Sequence, residues 1–248
     1  MIISENWLRE WVDFDLDFVT LADRLTAAGL EAGALALVPR VSEEVIAARI
    51  THLRPHPDAA SLSLCEVDSG SGSVIQVVCG AANARAGMVA PLAMPGAILP
   101  DGSVIRPTTI RNKVSTGMLC SGAELGIDDS VSGLLDLDPS LVPGTSLNAH
   151  LDLGDQLLEV DLTPNRGDCL SLLGIAREAA VVANGRLKIP SLPRVRARSK
   201  LRREVELACP AECPRYMGRI IEGLDTTSRS PDWIRERLRR CGIRSIDV

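Results

Sequence analysis

HPDAASLSLCEVDSGSGSVIQVVCGAANARAGMVAPLAMPGAILP, residues 56–100, is the stretch that decides the fold. It holds three short apolar runs, LSLCEVD (Leu62 to Asp68), VIQVVC (Val74 to Cys79) and VAPLAM (Val89 to Met94). Gly70, Gly72, Gly87, Pro95, Gly96, Pro100 and Gly102 punctuate them. Runs this short, bounded by turn residues, read as strands. Moving outward, VIAARI (Val45 to Ile50) precedes the stretch, with Pro55 and Pro57 between, and GLLDL (Gly133 to Leu137) follows it. Five or six short strands within about 100 residues predict a small barrel or sandwich. Ser121 and Glu124 have capping-box spacing for one short helix that Gly126 can end.

The flanks have a different period. On the N-terminal side, Ser4 can cap a helix carrying Trp7, Leu8 and Trp11. Asp17 can cap a second, with Leu21, Ala22, Leu25 and Ala28 at helical spacing and Gly29 as its left-handed stop. On the C-terminal side, LLEVDLT (Leu157 to Thr163) reads as a strand. A helix capped by Asp168 follows, with Leu172, Leu173, Ala176, Ala179, Ala180 and Ala183 on one stripe and Gly185 as its stop. Residues 186–203 read as a linker. Beyond it come a strand-like RYMGRIIEG (Arg215 to Gly223) and a helix with Ser230 as cap and Pro231 at its first position. Trp233, Ile234, Leu238 and Cys241 are expected to face inward, with Gly242 as stop. IRSIDV (Ile243 to Val248) opens another strand. A unit of about 45 residues that ends so cannot close its own core, and is expected to be unfinished.

Composition narrows the class. The chain has 248 residues, 46% hydrophobic and 24% charged, which excludes disorder as its main state. No run approaches the roughly 18 apolar residues of a membrane span. MIISENWLREWVDFD lacks the basic-then-apolar order of a signal peptide. Seven Cys without dense spacing fit reduced thiols in the cytoplasm. Charge is uneven: residues 1–185 carry 11 basic and 24 acidic side chains, and residues 186–248 carry 16 and 8. No aromatic residue lies between Phe18 and Tyr216, so the middle of the chain cannot stack bases on rings.

Motifs for chemistry are few. GSGS (Gly70 to Ser73) lacks the Lys and spacing of a phosphate loop. Cys209 and Cys213 lack a third and fourth zinc ligand, and Pro55 and Pro57 deny His52 and His56 a common helix. Cys65, Cys79 and Cys120 sit in apolar runs, as buried thiols do. The run Arg194, Arg196, Arg198, Lys200, Arg202, Arg203 contains no acid. It reads either as a solvated linker or as a phosphate-contacting or docking segment.

Local strings carry a family resemblance. SENWLREWV (Ser4 to Val12) and RLTAAGLE (Arg24 to Glu31) resemble the start of the bacterial phenylalanine–tRNA ligase β subunit. HPDAASLSLCEVD (His56 to Asp68), VVCGAANARAGMVAPLAMPGAILP (Val77 to Pro100) and STGMLCSGAELGI (Ser115 to Ile127) resemble its tRNA-binding-type OB domain. TPNRGDCLSLLGIAREAA (Thr163 to Ala180) resembles the following segment. CPRYMGRIIEGLD (Cys213 to Asp225) and SPDWIRERLRRCGIRSID (Ser230 to Asp247) resemble the opening of its editing domain.

The resemblance implies an α+β multidomain chain. An OB-type β-barrel (39–150) is inserted in a small discontinuous α+β domain (1–38 and 151–190). A basic linker (191–203) and the truncated start of an α/β editing domain (204–248) follow. It implies a cytoplasmic heterotetramer with an α subunit that carries the synthetic site, tRNA(Phe) as partner, and ATP and Mg2+ in the complete enzyme. No cofactor, catalytic residue or metal ligand is expected in this chain, and no DNA or membrane partner. A free-standing OB-fold tRNA-binding module and a degenerate paralogue kept for protein contacts are the alternatives.

The tRNA-binding candidates are Arg54, Arg85, Arg106, Arg111 and Lys113, with Arg196, Arg198 and Arg202 in the linker. The family's H-P-x-A-D-K-L reads Ala60 and Ser61 where Asp and Lys are usual, and its I/L-R-G-V-x-S reads Ile110 to Ser115 with Lys113 added. Residues 39–150 carry 7 basic and 11 acidic side chains, so this barrel alone is expected to bind tRNA weakly.

Overall fold

The computed structural model describes residues 1–128, 132–191 and 193–246. Ser4 and Asp17 cap their helices as the sequence predicts. Ser4 Oγ accepts the Trp7 N–H at 3.2 Å, and Asp17 accepts the Thr20 N–H at 2.8 Å. The N-terminal order is β1 (Ile2–Ser4), α1 (Glu5–Arg9), β2 (Val12–Asp13), α2 (Phe18–Ala27) and β3 (Glu31–Leu37). Gly29 has φ +90, the left-handed stop of α2, but Ala28 is exposed rather than on the apolar stripe.

The middle of the chain supplies β4 (Val45–His56), β5 (Ala59–Asp68), β6 (Val74–Cys79), β7 (Val89–Ala93), β8 (Thr108–Ile110), β9 (Lys113–Ser115) and β10 (Met118–Leu119). It is followed by α3 (Leu147–His150), β11 (Gln156–Asp161), α4 (Leu172–Val182), β12 (Arg186–Leu187) and α5 (Asp232–Arg240).

Two antiparallel sheets organise these elements. A three-stranded sheet has the order β1-β11-β3, pairing Ile3 with Leu158 and Val160 with Ala32. It packs with α2 and α4 around Phe18, Leu21, Leu25, Leu30, Ile175 and Ala179. The two ends of the first 190 residues thus share one core. Between β3 and β11, strands β4 to β7 and β10 build the second sheet, β10-β7-β4-β5-β6, while β8 and β9 pair as a separate two-stranded hairpin. Its ladder is open, with β10 and β6 as edges, where the strand pattern predicts a small barrel or sandwich and the resemblance implies an OB-type barrel. The segment after β9 bridges toward the β6 edge: Thr116 N–H donates to Gln76 O at 2.9 Å. Ala47, Val89 and Ala93 pack on one face of the sheet, and Ile50, Val67, Val77 and Leu92 on the other, in two further clusters.

Several expectations are corrected. Gly133–Leu137 is not a strand; only Leu134 bridges, to Ser121. The Ser121–Glu124 capping box forms reciprocally, with Ser121 N–H donating to Glu124 at 2.7 Å and Glu124 N–H to Ser121 Oγ at 3.1 Å. It closes a turn rather than a helix, because Gly126 turns left-handed (φ +65) two residues later. The cap of α4 is Ser171, not Asp168, since Pro164–Cys169 forms a 3-10 turn ahead of it. Asn184 takes the left-handed position after α4 (φ 51); Gly185 is required because a Cβ there would lie 2.2 Å from Asp13 O. Arg215–Gly223 forms no strand and is exposed apart from Ile220. Pro231 occupies the cap position of α5, and Gly242 (φ +71) stops it. Trp233 is 58% exposed, and the buried positions of that helix are Asp232 and Arg240. The last two residues of the IRSIDV strand expectation lie outside the described residues. Among the described residues, no helix is long and apolar enough to cross a membrane.

Candidate nucleic-acid interface

The β8–β9 hairpin is the most distinctive surface feature. Ile110 pairs with Lys113, leaving a two-residue turn of Arg111 and Asn112 at φ 46 and φ 63. Positive φ at both central residues gives the turn whose twist suits two antiparallel strands. Asn accepts this conformation readily, whereas Arg does so at a cost of about 1 kcal/mol. Arg111, the more strained of the two, is exposed in the turn itself.

The hairpin is fastened at its base. Gln76 Nε2 donates to Val114 O at 2.7 Å, and Val78 N–H donates to Ser115 Oγ at 3.0 Å. Ser115 is buried and donates in turn to Gly117 O at 2.9 Å. Gly117 permits a close approach to the sheet, since a Cβ there would lie 2.8 Å from Ala93 O. Gln76 and Ser115 were not among the sequence candidates, and only the spacing of Ser115 and Gly117 hints at this anchor.

Ion pairing divides the basic side chains of residues 39–150. Arg40 pairs with Glu43 at 3.2 Å. Arg49 spends its guanidinium on the carbonyls of Gly87, Pro139 and Leu141. Arg85 pairs with Asp136 at 2.8 Å, and Arg229 approaches the same carboxylate at 3.6 Å. Among the described residues Arg54, Arg106 and Arg111 are exposed without an ion pair, and Lys113 is half-exposed without one. Arg106, Arg111 and Lys113 fall in residues 102–123, which contain no acid. The unit is net acidic, yet this segment is locally +3. Arg54 stands apart, near the far end of β4.

Residues 194–203 are irregular, and their six basic side chains are exposed without ion pairs among the described residues. Among the described residues, no hydrogen bond joins Arg196, Arg198 or Arg202 to the hairpin. A cleft of about 390 Å³ beside α5 is also lined by charge, but Arg235 and Arg239 there face Asp232 and Glu236, so it offers no free cation cluster.

Of the titratable groups elsewhere, His56 keeps a buried Nε2 with no hydrogen-bond partner among the described residues. His52 lies 3.4 Å from Glu66, while His56 is buried and its Nδ1 accepts the Asp58 N–H at 3.1 Å. Asp168, Cys169 and Glu178 are the one metal-competent trio among the described residues. Arg166 sits on all three, 3.2 Å from Asp168, 3.0 Å from Cys169 and 2.8 Å from Glu178. A guanidinium already fills that position, so the trio does not fit a metal ion. Burial pushes the Cys120 thiol up to about 12 and raises Cys169 as well.

The five-stranded antiparallel sheet is thus accompanied by an acid-free basic hairpin. The family model described as "Putative tRNA binding domain" matches residues 45–146, and "B3/4 domain" matches residues 212–248. Over its whole length the chain is similar to proteins named phenylalanine–tRNA ligase beta subunit. The subunit of Nitrosococcus oceani is 48% identical over 248 residues, covering 100% of this chain and 31% of its own. That of Methylococcus capsulatus is 46% identical over 246 residues, covering 99% and 31%. The chain thus spans about a third of the length of the curated relatives it matches. Among solved structures, the C-terminal domain of Plasmodium vivax p43 covers 43% of this chain and 59% of its own, at TM-score 0.31 and 15% identity.

Proposed function

We propose that this chain is the N-terminal portion of a phenylalanine–tRNA ligase β subunit, acting as tRNA-facing scaffold and subunit-packing surface. The observation that carries the reading is full-length similarity to that family, joined to a basic hairpin in the segment matched as tRNA-binding. In this reading residues 39–150 are an OB-type barrel set into a discontinuous domain of residues 1–38 and 151–190. The sheet in which β11 pairs with both β1 and β3 supports the insertion. Residues 191–203 are a basic linker, and residues 204–248 begin an editing domain.

Arg106, Arg111 and Lys113 form the principal phosphate contact in this reading, and Arg54 gives a separate one. Arg196, Arg198 and Arg202 give a second, flexible one. Arg85 contributes least, because Asp136 already holds it. Contacts of this kind position an RNA backbone without reading its sequence. They hold tRNA(Phe) weakly, and the α subunit with the rest of the β subunit supplies the remaining affinity. The complete cytoplasmic enzyme, a heterotetramer, would use ATP and Mg2+. Among the described residues there is no vacant acidic cluster to hold them, and the sequence offers no phosphate loop, so no step of that chemistry is assigned to this chain.

Co-expression of the complete natural protein with a phenylalanine–tRNA ligase α subunit tests the proposal. Co-purification and phenylalanylation of tRNA are expected. A complete protein that assembles with no α subunit and supports no aminoacylation would point instead to a free-standing module or a paralogue used for protein contacts.

A further inference from the structure

Helix α5 is held by charge where an ordinary surface helix is held by an apolar stripe. A nine-residue helix has little stability of its own, so docking must maintain it. At its C-terminal end Arg240, 4% exposed, reaches Asp155 Oδ2 at 3.0 Å. The same guanidinium donates to the carbonyls of Leu151 and Asp152. Asp155 is 1% exposed and also accepts the Ser4 hydroxyl at 2.5 Å, the Asn6 N–H at 3.0 Å and the Gln156 N–H at 2.9 Å. At the N-terminal end Asp232 accepts the Asp138 N–H at 2.8 Å and lies 2.9 Å from His150 Nε2. Between these anchors Arg237 pairs with Glu10, its guanidinium 5.0 Å from the Trp7 ring and 5.3 Å from the Trp233 ring.

These partners straddle a junction. The chain passes between the three-stranded sheet and the five-stranded unit twice, and the two passages pair: Val38 N–H donates to Asp155 O at 2.8 Å, and Gly154 N–H to Val38 O at 3.1 Å. The buried apolar clusters on the two sides are separate, with Leu157 the one residue of β11 packed across. Two adjacent strands with divided cores make a hinge. Ser4, Trp7 and Glu10 lie on one side of it, and Asp138 and His150 on the other. Asp155 is in the hinge itself.

We propose that α5 is a clamp that locks this hinge, with Arg240 and Asp232 as its positioning residues. The helix falls inside the B3/4 match, so the start of that domain would fix the angle at which the basic hairpin is presented. The clamp itself does not depend on the RNA-binding reading.

Hydrogen–deuterium exchange on the full chain tests it, comparing wild type with Arg240→Met, Arg240→Lys and Asp232→Asn. Arg240→Met is expected to raise exchange at least tenfold both in α5 and in the crossing peptides containing Val38 and Gly154. The amides of β4, β5 and β7 stay protected, and Arg240→Lys restores part of the effect. Asp232→Asn acts through the other end of the helix and is expected to give the same pattern more weakly. It also decides the matter if Arg240→Met does not fold. Faster exchange in α5 with unchanged crossing peptides would show the helix to be a passenger, and unchanged exchange in α5 would refute the docking; either result overturns the clamp.

Discussion

Replacing Arg106, Arg111 and Lys113 together by Ala should change the salt dependence of tRNA binding by a calculable amount. Each phosphate neutralised contributes about 0.9 to the slope of log K against log salt on a duplex. Four unpaired cations, with Arg54, give a slope of about −3.6, and Arg54 alone about −0.9. Between 50 and 200 mM salt, wild type should then lose about 150-fold in affinity and the triple variant about 3-fold. Any contribution from the linker adds equally to both, so the difference of about 2.7 in slope is the quantity of interest. The three side chains have no ion pair among the described residues, and truncating such surface groups costs at most about 0.5 kcal/mol each. Filter binding of the 248-residue chain to tRNA across this salt range measures both slopes. Arg85→Ala is the control: Asp136 engages this side chain, so the slope should change by well under 0.9. A triple variant whose slope moves by less than about 1, or an equal change from Arg85→Ala, would refute the assignment of the hairpin.

Other outcomes follow from the packing and the ionisable groups. Gly185→Ala puts a Cβ against Asp13 O and should cost about 1–3 kcal/mol, read as a lower urea midpoint. The Asp17 carboxyl is held below its usual range by the Thr20 N–H and hydroxyl. Its contribution to α2 is therefore complete above about pH 4 and fades as pH falls through the lower folded value; Asp17→Asn should flatten that acid-side loss of helical circular dichroism. Iodoacetamide should modify exposed Cys209 and Cys213 first, and buried Cys65, Cys120 and Cys169 only on unfolding, as peptide mass spectrometry can follow.

The sequence makes some of this architecture legible and hides the rest for identifiable reasons. Val74–Cys79 is a strand at its expected limits, because an apolar run bounded by Ser73 and Gly80 leaves little else. The β8–β9 hairpin is invisible to the same reading. TTIRNKVS is polar and mostly exposed, so no alternation marks it, and Arg-Asn is not a usual two-residue turn. Of the candidates in residues 39–150, Arg54, Arg106, Arg111 and Lys113 are nevertheless those without an ion pair among the described residues, while Arg85 turns out to be engaged. That difference depends on Asp136, 51 positions away, which no local pattern reveals. Helix α5 fails most completely. Apolar periodicity points Trp233 inward, but the buried pair is Asp232 and Arg240, whose partners His150 and Asp155 lie more than eighty positions earlier. Long-range ionic partners override helical periodicity here, and periodicity cannot anticipate them.

Photo-crosslinking of tRNA to the full chain, with the crosslinked peptides mapped by mass spectrometry, tests the central claim most directly. The account predicts adducts within residues 104–116, with a second set in residues 194–203. Adducts concentrated on the acidic three-stranded sheet, or equal yields in the Arg106, Arg111 and Lys113 triple variant, would contradict it.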